Sequence, residues 1–280
     1  KPAVSIAGKY LLVDVPISNC INSGISRVAV LTQCNPASLH EHISCAYNFN
    51  TSDRWVKTLT GAETSDCASW YRGTADAVRK QLAEIQRAGA EYTLILAGDH
   101  LYSMDYGELA QFHREKQADI TVAVQPVARS EASRLGILKR ASNGRISNFV
   151  EKPMYPELQD QFISRDDPEK PFLGSMGIYM FNTKVLMDLL INHPDHNDFG
   201  GDVIPEAIHS HAVYGYVFDG YWQDIGTVRS FYETNLALTK PGAPFNFKSP
   251  KSPIYTATLT LPPPIIVNSK LKDVIIAKGC

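Results

Sequence analysis

Two aspartates in this chain each follow a run of residues that predicts a β-strand. Asp99 comes directly after Gly98 and the apolar and β-branched run 92–97, which is typical of a strand buried on both faces of a parallel sheet. Asp224 follows the strand-like stretch 213–218. Because ligands of open α/β sheets bind outside the carboxyl ends of the strands, we expect both carboxylates at one edge of the same sheet.

A pair of carboxylates at one sheet edge is suited to a magnesium ion. Mg²⁺ binds through one or two protein carboxylates and leaves its other positions to water and phosphate oxygens. Lys152 ends a predicted hairpin strand next to Glu151, where its amine is placed to bind a phosphate. The alternatives are a turn or helix cap for Asp99 and a surface ion pair for Glu151 with Lys152. Together, Asp99, Asp224 and Lys152 favour nucleotidyl transfer, which depends on positioning and charge neutralisation rather than on a protein nucleophile.

Gly73 and Thr74 precede a predicted helix whose apolar residues recur at spacings of three and four. Thr74 is expected to cap this helix, and a glycine before it allows a ligand to approach the backbone closely. The free N–H groups of a helix N-terminus attract anions. Gly-Thr before a helix is common, however, so this pattern alone favours an ordinary helix start over a ligand site.

The composition is that of an ordinary globular protein and excludes several classes of function. Of the 280 residues, 44% are hydrophobic and 20% are charged. A net charge of −2 supplies no basic surface for nucleic acid and no polybasic membrane patch. No apolar run approaches the ~20 residues of a membrane span, and no signal peptide is visible. The five cysteines are odd in number and lack metal-type spacing, which favours reduced thiols in a cytosolic protein.

Strand and helix patterns alternate over most of the chain, which predicts an α/β fold. We expect a Rossmann-like, mostly parallel mixed sheet with flanking helices in a catalytic domain over residues 1–239. Residues 48–69 are polar, lack periodicity and are predicted to be a loop. From residue 240 seven prolines occur up to Pro264, so residues 240–264 are predicted to be a linker on the surface.

Eight stretches, in order along the whole chain, resemble the glucose-1-phosphate adenylyltransferases, also called ADP-glucose pyrophosphorylases. They are KPAV (1–4), DVPISNCINSG (14–24), WYRGTADAV (70–78), LAGDHLY (96–102), EKP (151–153), GSMGIY (174–179), DFG (198–200) and YWQDIGT (221–227). The resemblance implies a nucleotidyltransferase α/β domain of the GT-A type followed by a left-handed β-helix. Residues 265–280 would be only the truncated start of that β-helix, and no repeat within the chain supports it independently.

The activity implied by this resemblance is the reaction of ATP with α-glucose 1-phosphate to give ADP-glucose and pyrophosphate, for glycogen or starch synthesis. In the pattern of the family, Asp99 and Asp224 hold the catalytic Mg²⁺. Lys152 binds the phosphate of the sugar, and Glu151 accepts hydrogen bonds from glucose hydroxyls. Because the sugar phosphate oxygen attacks the α-phosphorus in line, no side-chain nucleophile is required.

The resemblance also implies contacts for the rest of the site. The residues expected on the glucose side are Gly136, Ser175, Asp198, Phe199 and Trp222. The residues expected on the nucleotide side are Tyr71, Gly73 and Thr74. Lys1 matches a lysine that is tied to activator binding in the family.

The chain departs from the family pattern in ways that affect these expectations. It opens on Lys1 without an initiator methionine and lacks the Gly-rich phosphate loop of the family, so we expect a fragment that is inactive alone. Leu11 and Cys45 stand where the family usually has arginine, which bears on subunit or effector contacts. The resemblance implies small-molecule allosteric effectors and a homotetramer in the cytoplasm, or a heterotetramer in the plastid stroma for a plastidic protein.

Several alternatives to an adenylyltransferase are open at this point. Another sugar nucleotidyltransferase would use UTP, dTTP or GTP, and the stretch 70–76 favours the adenylyl enzyme. A non-catalytic regulatory subunit is disfavoured because Asp99, Lys152 and Asp224 are all present. A dinucleotide-dependent dehydrogenase is disfavoured because no Gly-x-Gly-x-x-Gly follows a strand, and a nucleic-acid binder lacks the charge.

Overall fold

A computed structural model of the chain describes residues 2–33, 37–49, 51, 53–60, 70–258 and 261–278. In chain order its strands are β1 (Ser5–Ile6), β2 (Tyr10–Leu11), β3 (Arg27–Thr32), β4 (Trp55–Thr60), β5 (Tyr92–Leu96), β6 (His100–Tyr102), β7 (Ile120–Val127), β8 (Gly136–Arg140), β9 (Ile146–Glu151), β10 (Phe172–Asn182), β11 (Val213–Val217) and β12 (Trp222–Asp224). Its α-helices are α1 (Asp14–Asn22), α2 (Ala37–Ala46), α3 (Thr74–Arg79), α4 (Leu82–Ala88), α5 (Tyr106–Glu115), α6 (Arg129–Ala132), α7 (Pro156–Asp160), α8 (Thr183–Asn192), α9 (Ile204–Ser210) and α10 (Val228–Leu238). A π-helical turn, Phe199–Val203, leads into α9.

The chain divides into two compact units. We call the first the sheet unit, which comprises Thr60–Leu96 and Gly107–Asp219. The second is the terminal unit, which comprises Lys1–Leu59, Ala97–Tyr106 and Gly220–Cys280. Each is described by itself below.

The sheet unit is built on a six-stranded mixed sheet in the order β11-β7-β10-β8-β9, with β5 also paired to β10. This confirms the predicted α/β class with a mixed sheet and flanking helices. The expectation of mostly parallel pairing is wrong for this sheet as described, because β11 with β7 is parallel whereas β10 pairs antiparallel with β5, β7 and β8. The strands have apolar residues on both faces, a pattern that a covered antiparallel strand shares with a parallel one.

The central strand β10 is buried along nearly all of its length and carries an irregularity in its middle. Its register against β7 shifts between Ser175 and Tyr179, and Gly177 within this bulge has φ +63°. Glycine reaches this left-handed conformation without the steric cost of a Cβ. A bulge re-aims the side chains beside it, and here those side chains belong to Ser175 and Tyr179.

The predicted helix after Gly73 forms as two helices, α3 and α4, with a break at Lys80 and Gln81. The Arg79 guanidinium fixes α3 against the end of α8 by donating to the backbone carbonyls of Leu190, His193 and His196. These carbonyls accept from Nε and Nη2 of Arg79, and Nη1 donates to the Asp76 carboxylate at 3.2 Å. The last residue of α3 is therefore bonded to the end of α8 and to the residues that follow it.

The terminal unit has its own apolar core around α1 and α2. Its buried members are Val13, Ile17, Leu39, Ile43, Tyr47 and Val56. Asp14 is fully buried beside this core and accepts hydrogen bonds from the Leu11 N–H at 2.9 Å and the Tyr47 hydroxyl at 2.8 Å. Val56 belongs to β4, so the prediction of a loop throughout residues 48–69 is wrong at 55–60, and residues 61–69 lie outside the described part of the chain.

The proline-rich stretch from residue 240 has no helix or strand in its described parts, 240–258 and 261–278. It is nevertheless packed, since the Phe247 ring stacks on Tyr10 at 4.3 Å and the Tyr255 N–H donates to the Ser18 hydroxyl at 2.8 Å. The domain boundaries at 239 and 264, and the start of a β-helix in 265–280, stay predictions.

Two of the expectations from sequence concern whether the cysteines are reduced and whether a helix spans a membrane. Cys20 and Cys45 are free thiols, and burial raises the pKa of the Cys20 thiol to about 12, which keeps it protonated and unreactive. Cys34, Cys67 and Cys280 lie outside the described residues. Within the described chain, every helix is too short or too polar to cross a bilayer.

Candidate active site

Asp99 and Asp224 meet in the terminal unit on a two-stranded ribbon. Strands β6 and β12 pair antiparallel with Asp224 opposite His100, and Asp99 directly precedes β6. One carboxylate oxygen of Asp99 lies 3.6 Å from Nε2 of His100, and one of Asp224 lies 3.9 Å from the same nitrogen. The backbone N–H of Ile225 donates to the Asp99 carbonyl at 3.1 Å and closes the ribbon.

The convergence of Asp99 and Asp224 was expected, but its structural cause was not. From sequence, both residues are predicted at the carboxyl ends of two strands that share one edge of a parallel-type sheet. In the structure the pairing of β6 with β12 brings them together, and these two strands form a separate ribbon from the six-stranded sheet. The register sets Asp224 opposite His100, and Asp99 is the residue before His100, so one oxygen of each carboxylate lies within 3.9 Å of Nε2 of His100.

The aspartate pair fits a hard divalent cation. Both carboxylates are partly exposed, so water and phosphate oxygens have access to complete an octahedral shell. Gly226 makes room for the second carboxylate, because a Cβ at that position would lie 2.8 Å from Oδ1 of Asp224. Among the described residues no group of three His, Cys, Asp or Glu side chains is arranged to hold a metal. A site here would therefore draw on two protein carboxylates, which is the usual arrangement for Mg²⁺.

Glu151 forms the centre of a second cluster, in the sheet unit. It lies opposite Gly136 in the β8–β9 hairpin, and its Oε2 lies 2.6 Å from where a Cβ of Gly136 would be. The same oxygen lies 2.5 Å from where a Cβ of Gly200 would be. Two glycines thus clear the space that the carboxylate occupies.

Lys152 follows Glu151 in a backbone conformation that is uncommon for lysine. Its φ is +47°, and its N–H donates to the carbonyl of Leu135 at 3.1 Å. Non-glycine residues with positive φ cost of order 1 kcal/mol and concentrate at functional sites. The ammonium lies 2.9 Å from the Glu151 carboxylate and is largely exposed, so the two charges face the same side despite being neighbours in sequence. The left-handed residue explains this, since an extended strand would point them apart.

The loop before the π-helical turn holds Asp198 firmly. One Asp198 oxygen accepts from the Gly201 N–H at 2.9 Å, and the other accepts from the Thr74 hydroxyl at 2.9 Å. The Thr74 hydroxyl also accepts from the Phe199 N–H at 3.0 Å. Thr74 therefore joins the start of α3 to the Asp198 loop and fixes the carboxylate that is predicted to bind glucose.

The helix start after Gly73 is bonded to another backbone segment, in line with the ordinary helix start that the Gly-Thr pattern favours. The N–H groups of Ala75 and Asp76 donate to the carbonyl of Asn197 at 2.8 and 3.2 Å, so a protein acceptor already occupies them. A Cβ on Gly73 would lie 2.3 Å from that same carbonyl oxygen. Gly73 is thus needed for contact between two backbone segments. The assignment of Gly73 and Thr74 to the nucleotide stays a prediction, as does that of Tyr71, whose ring packs against the Lys80 ammonium at 5.2 Å.

Tyr179 also belongs to the second cluster, although no role was predicted for it from sequence. It is buried, it contacts the ring of Phe199 at 5.8 Å, and its hydroxyl lies 3.4 Å from that of Ser175, the donor. Burial raises the pKa of the Tyr179 phenol, and the carboxylates of Glu151 and Asp198 raise it further. A neutral phenol therefore lies near both carboxylates. Its signal in the sequence is its place at the end of the GSMGIY stretch (174–179), one of the stretches that carry the resemblance.

The remaining predicted site residues are distributed between the two units. Ser175, Asp198 and Phe199 belong to the sheet unit, and Phe199 is buried as a core residue below the Asp198 loop. Trp222 belongs to the terminal unit and contacts His100 edge to face, with ring centroids 5.3 Å apart. Lys1, the predicted activator-binding residue, lies outside the described residues.

Thr74→Val tests the connection between α3 and the Asp198 loop. The variant keeps the shape of the side chain and removes the bond to the Asp198 carboxylate, which is exposed, so the free energy of unfolding should fall by about 0.5–1.5 kcal/mol. Urea denaturation measures this loss, and Thr74→Ser, which retains the hydroxyl, should recover most of it. Equal stabilities for the valine and serine variants would contradict the role given to the hydroxyl.

The range of the chain that holds these clusters matches a known protein family. Residues 1–241 match the family model described as nucleotidyl transferase. The matched range covers most of the chain and includes both aspartates, the Glu151 cluster and Thr74.

Proposed function

The chain belongs to the nucleotidyl transferase family, and we propose that it transfers the adenylyl group of ATP to α-glucose 1-phosphate. The products are ADP-glucose and pyrophosphate. The observation that carries the proposal is the meeting of Asp99 and Asp224 at one nitrogen of His100. ATP and glucose 1-phosphate are supported by the sequence motifs at 70–78, 151–153 and 198–200.

In the proposed reaction a phosphate oxygen of glucose 1-phosphate forms a bond to the α-phosphorus of ATP. The bond from that phosphorus to the oxygen shared with the β-phosphorus breaks, and pyrophosphate leaves with the electron pair. The attacking phosphate is already anionic, so the protein does not have to remove a proton. The work of the side chains is to bind, orient and neutralise charge.

Each cluster has a distinct proposed part in this work. Asp99 and Asp224 would hold Mg²⁺, which supplies charge neutralisation on the phosphates when bound. Lys152 would bind the sugar phosphate as a point charge, and its exposed ammonium is free of a burial penalty. Glu151 and Asp198 would accept hydrogen bonds from glucose hydroxyls. Gly136 and Gly200 leave room for the Glu151 carboxylate, and the Thr74 hydroxyl donates to Asp198.

The proposal extends to assembly and regulation on the strength of the resemblance. We propose a homotetramer in the cytoplasm that responds to small-molecule effectors, with the heterotetramer in the plastid stroma as the plastidic form. Size-exclusion chromatography with light scattering measures the assembly.

A panel of nucleotides and sugar phosphates tests the proposed function. The protein should be assayed in its full natural chain with Mg²⁺, glucose 1-phosphate and ATP, UTP, dTTP or GTP, with pyrophosphate release as the readout. We expect kcat/KM with ATP to exceed that with each other nucleotide by about 100-fold or more. An equal or higher value with UTP, dTTP or GTP would replace the adenylyl assignment by another sugar nucleotidyl transfer. Replacement of glucose 1-phosphate by mannose 1-phosphate serves as the matched sugar control.

A further inference from the structure

His100 lies between the two aspartates and was not among the residues predicted from sequence. It is 9% exposed, and its ring is fixed by Trp222, whose indole N–H donates to Nδ1 of His100 at 3.3 Å. The two rings also meet edge to face, at an interplanar angle of 86°. The imidazole therefore has one orientation set by both a hydrogen bond and ring packing.

The bond from Trp222 also determines which nitrogen of His100 carries the proton. Indole N–H is a donor only, so Nδ1 must be the acceptor. In a neutral imidazole the proton is then on Nε2. Nε2 is the nitrogen that faces Asp99 at 3.6 Å and Asp224 at 3.9 Å.

This tautomer determines what His100 can do for a bound cation. A histidine binds a metal through a nitrogen lone pair, and Nε2 has no lone pair available when Nδ1 accepts from Trp222. An N–H group instead interacts favourably with carboxylate oxygens and opposes the mutual repulsion of the two aspartates. The distances from Nε2 to the two carboxylate oxygens exceed those of direct hydrogen bonds. The N–H group therefore interacts with both carboxylates through its partial positive charge.

We infer that His100 is a positioning residue that holds Asp99 and Asp224 in a cation-ready arrangement, with Trp222 fixing its tautomer. The inference rests on the proposed function in that it takes the two aspartates to be the cation ligands. Partners that orient metal ligands contribute about 10- to 100-fold to metal affinity. Trp222, expected from sequence to line the glucose, thus has a second role on the side of the cation.

Mn²⁺ binding measured by electron paramagnetic resonance, with Mn²⁺ as a probe for Mg²⁺, tests this inference without an activity assay. His100→Ala should weaken Mn²⁺ binding about 10- to 100-fold at unchanged stoichiometry. His100→Gln, whose amide supplies an N–H, should recover part of the loss. Trp222→Phe should also weaken binding, because Nδ1 then has no donor to fix the tautomer. His40→Gln, at an exposed histidine of α2, is the matched control and should bind Mn²⁺ like the wild type.

Melting temperatures without metal separate positioning from a purely structural role. A structural role predicts a lower melting temperature for His100→Ala with Mn²⁺ affinity unchanged, and that result would overturn the inference. If His100→Ala binds Mn²⁺ as tightly as the wild type while the wild-type protein turns over ATP, the inference about His100 is overturned and the proposed function stands. A preference for another nucleotide would instead overturn the proposed function, while the effect of His100 on Mn²⁺ would still be seen.

Discussion

Replacing Asp99 or Asp224 by asparagine is expected to reduce kcat by about 100-fold or more. Each substitution removes one negative charge from the pair that faces His100 and keeps the size of the side chain. The proposed reaction would place the charges of a triphosphate and a sugar phosphate close together, and a cation held by the two aspartates would neutralise them. Both carboxylates are partly exposed, so the change should leave the fold intact. Steady-state turnover at saturating ATP and glucose 1-phosphate, over a series of Mg²⁺ concentrations, measures the effect.

The control for this pair is Asp219→Asn, an exposed aspartate near the start of β12. It removes the same charge from the chain and should retain kcat within about 2-fold. If Asp99→Asn and Asp224→Asn both retained the turnover of this control, the two carboxylates would have no part in the reaction.

Replacing Gly200 by alanine is expected to raise the KM for glucose 1-phosphate about 10-fold or more. The new methyl group would lie 2.5 Å from Oε2 and 3.0 Å from Cδ of Glu151, so the carboxylate must move away. Because the displaced group is the end of a flexible side chain, the shift should cost little stability. The loss of a hydrogen bond to a charged group is worth about 1.5–3 kcal/mol, and each 1.4 kcal/mol corresponds to a factor of ten in binding.

Gly201→Ala is the matched control within the same π-helical turn. A Cβ at Gly201 would meet Asp198 no closer than 3.6 Å, which is ordinary van der Waals contact. Its KM for glucose 1-phosphate should stay close to that of the wild type. Equal KM values for the two alanine variants would show that the position of the Glu151 carboxylate does not matter for the sugar.

Local patterns in the sequence predicted most of the elements that position these residues. A threonine before a helical pattern predicts a cap, and the Thr227 side chain accepts from the Ser230 N–H at the start of α10. An Asn-Gly pair between two strand patterns predicts a hairpin turn, and in the pair Asn143-Gly144 the glycine has φ +95° between β8 and β9. Both features depend on a few neighbouring residues, so their physical cause lies within a short sequence window.

The features that the sequence did not reveal depend on contacts between distant segments. The β6–β12 ribbon joins stretches far apart in the chain, and three-residue strands have too few residues to show a period. The contact of Asn197 with the start of α3 likewise depends on tertiary packing that no local pattern encodes. His100 could have been suspected from its place directly after Asp99. Its tautomer, however, required the position of Trp222.

Mn²⁺ titration of the wild-type protein, Asp99→Asn, Asp224→Asn and the double variant is the most direct test that the two aspartates hold one cation. We predict one tight Mn²⁺ site per chain in the wild type. Each single variant should lose that same site, and the double variant should bind no more weakly than the weaker single variant, because the effects of two ligands of one ion are not additive. Two tight sites in the wild type, one lost with Asp99 and the other with Asp224, would contradict the account.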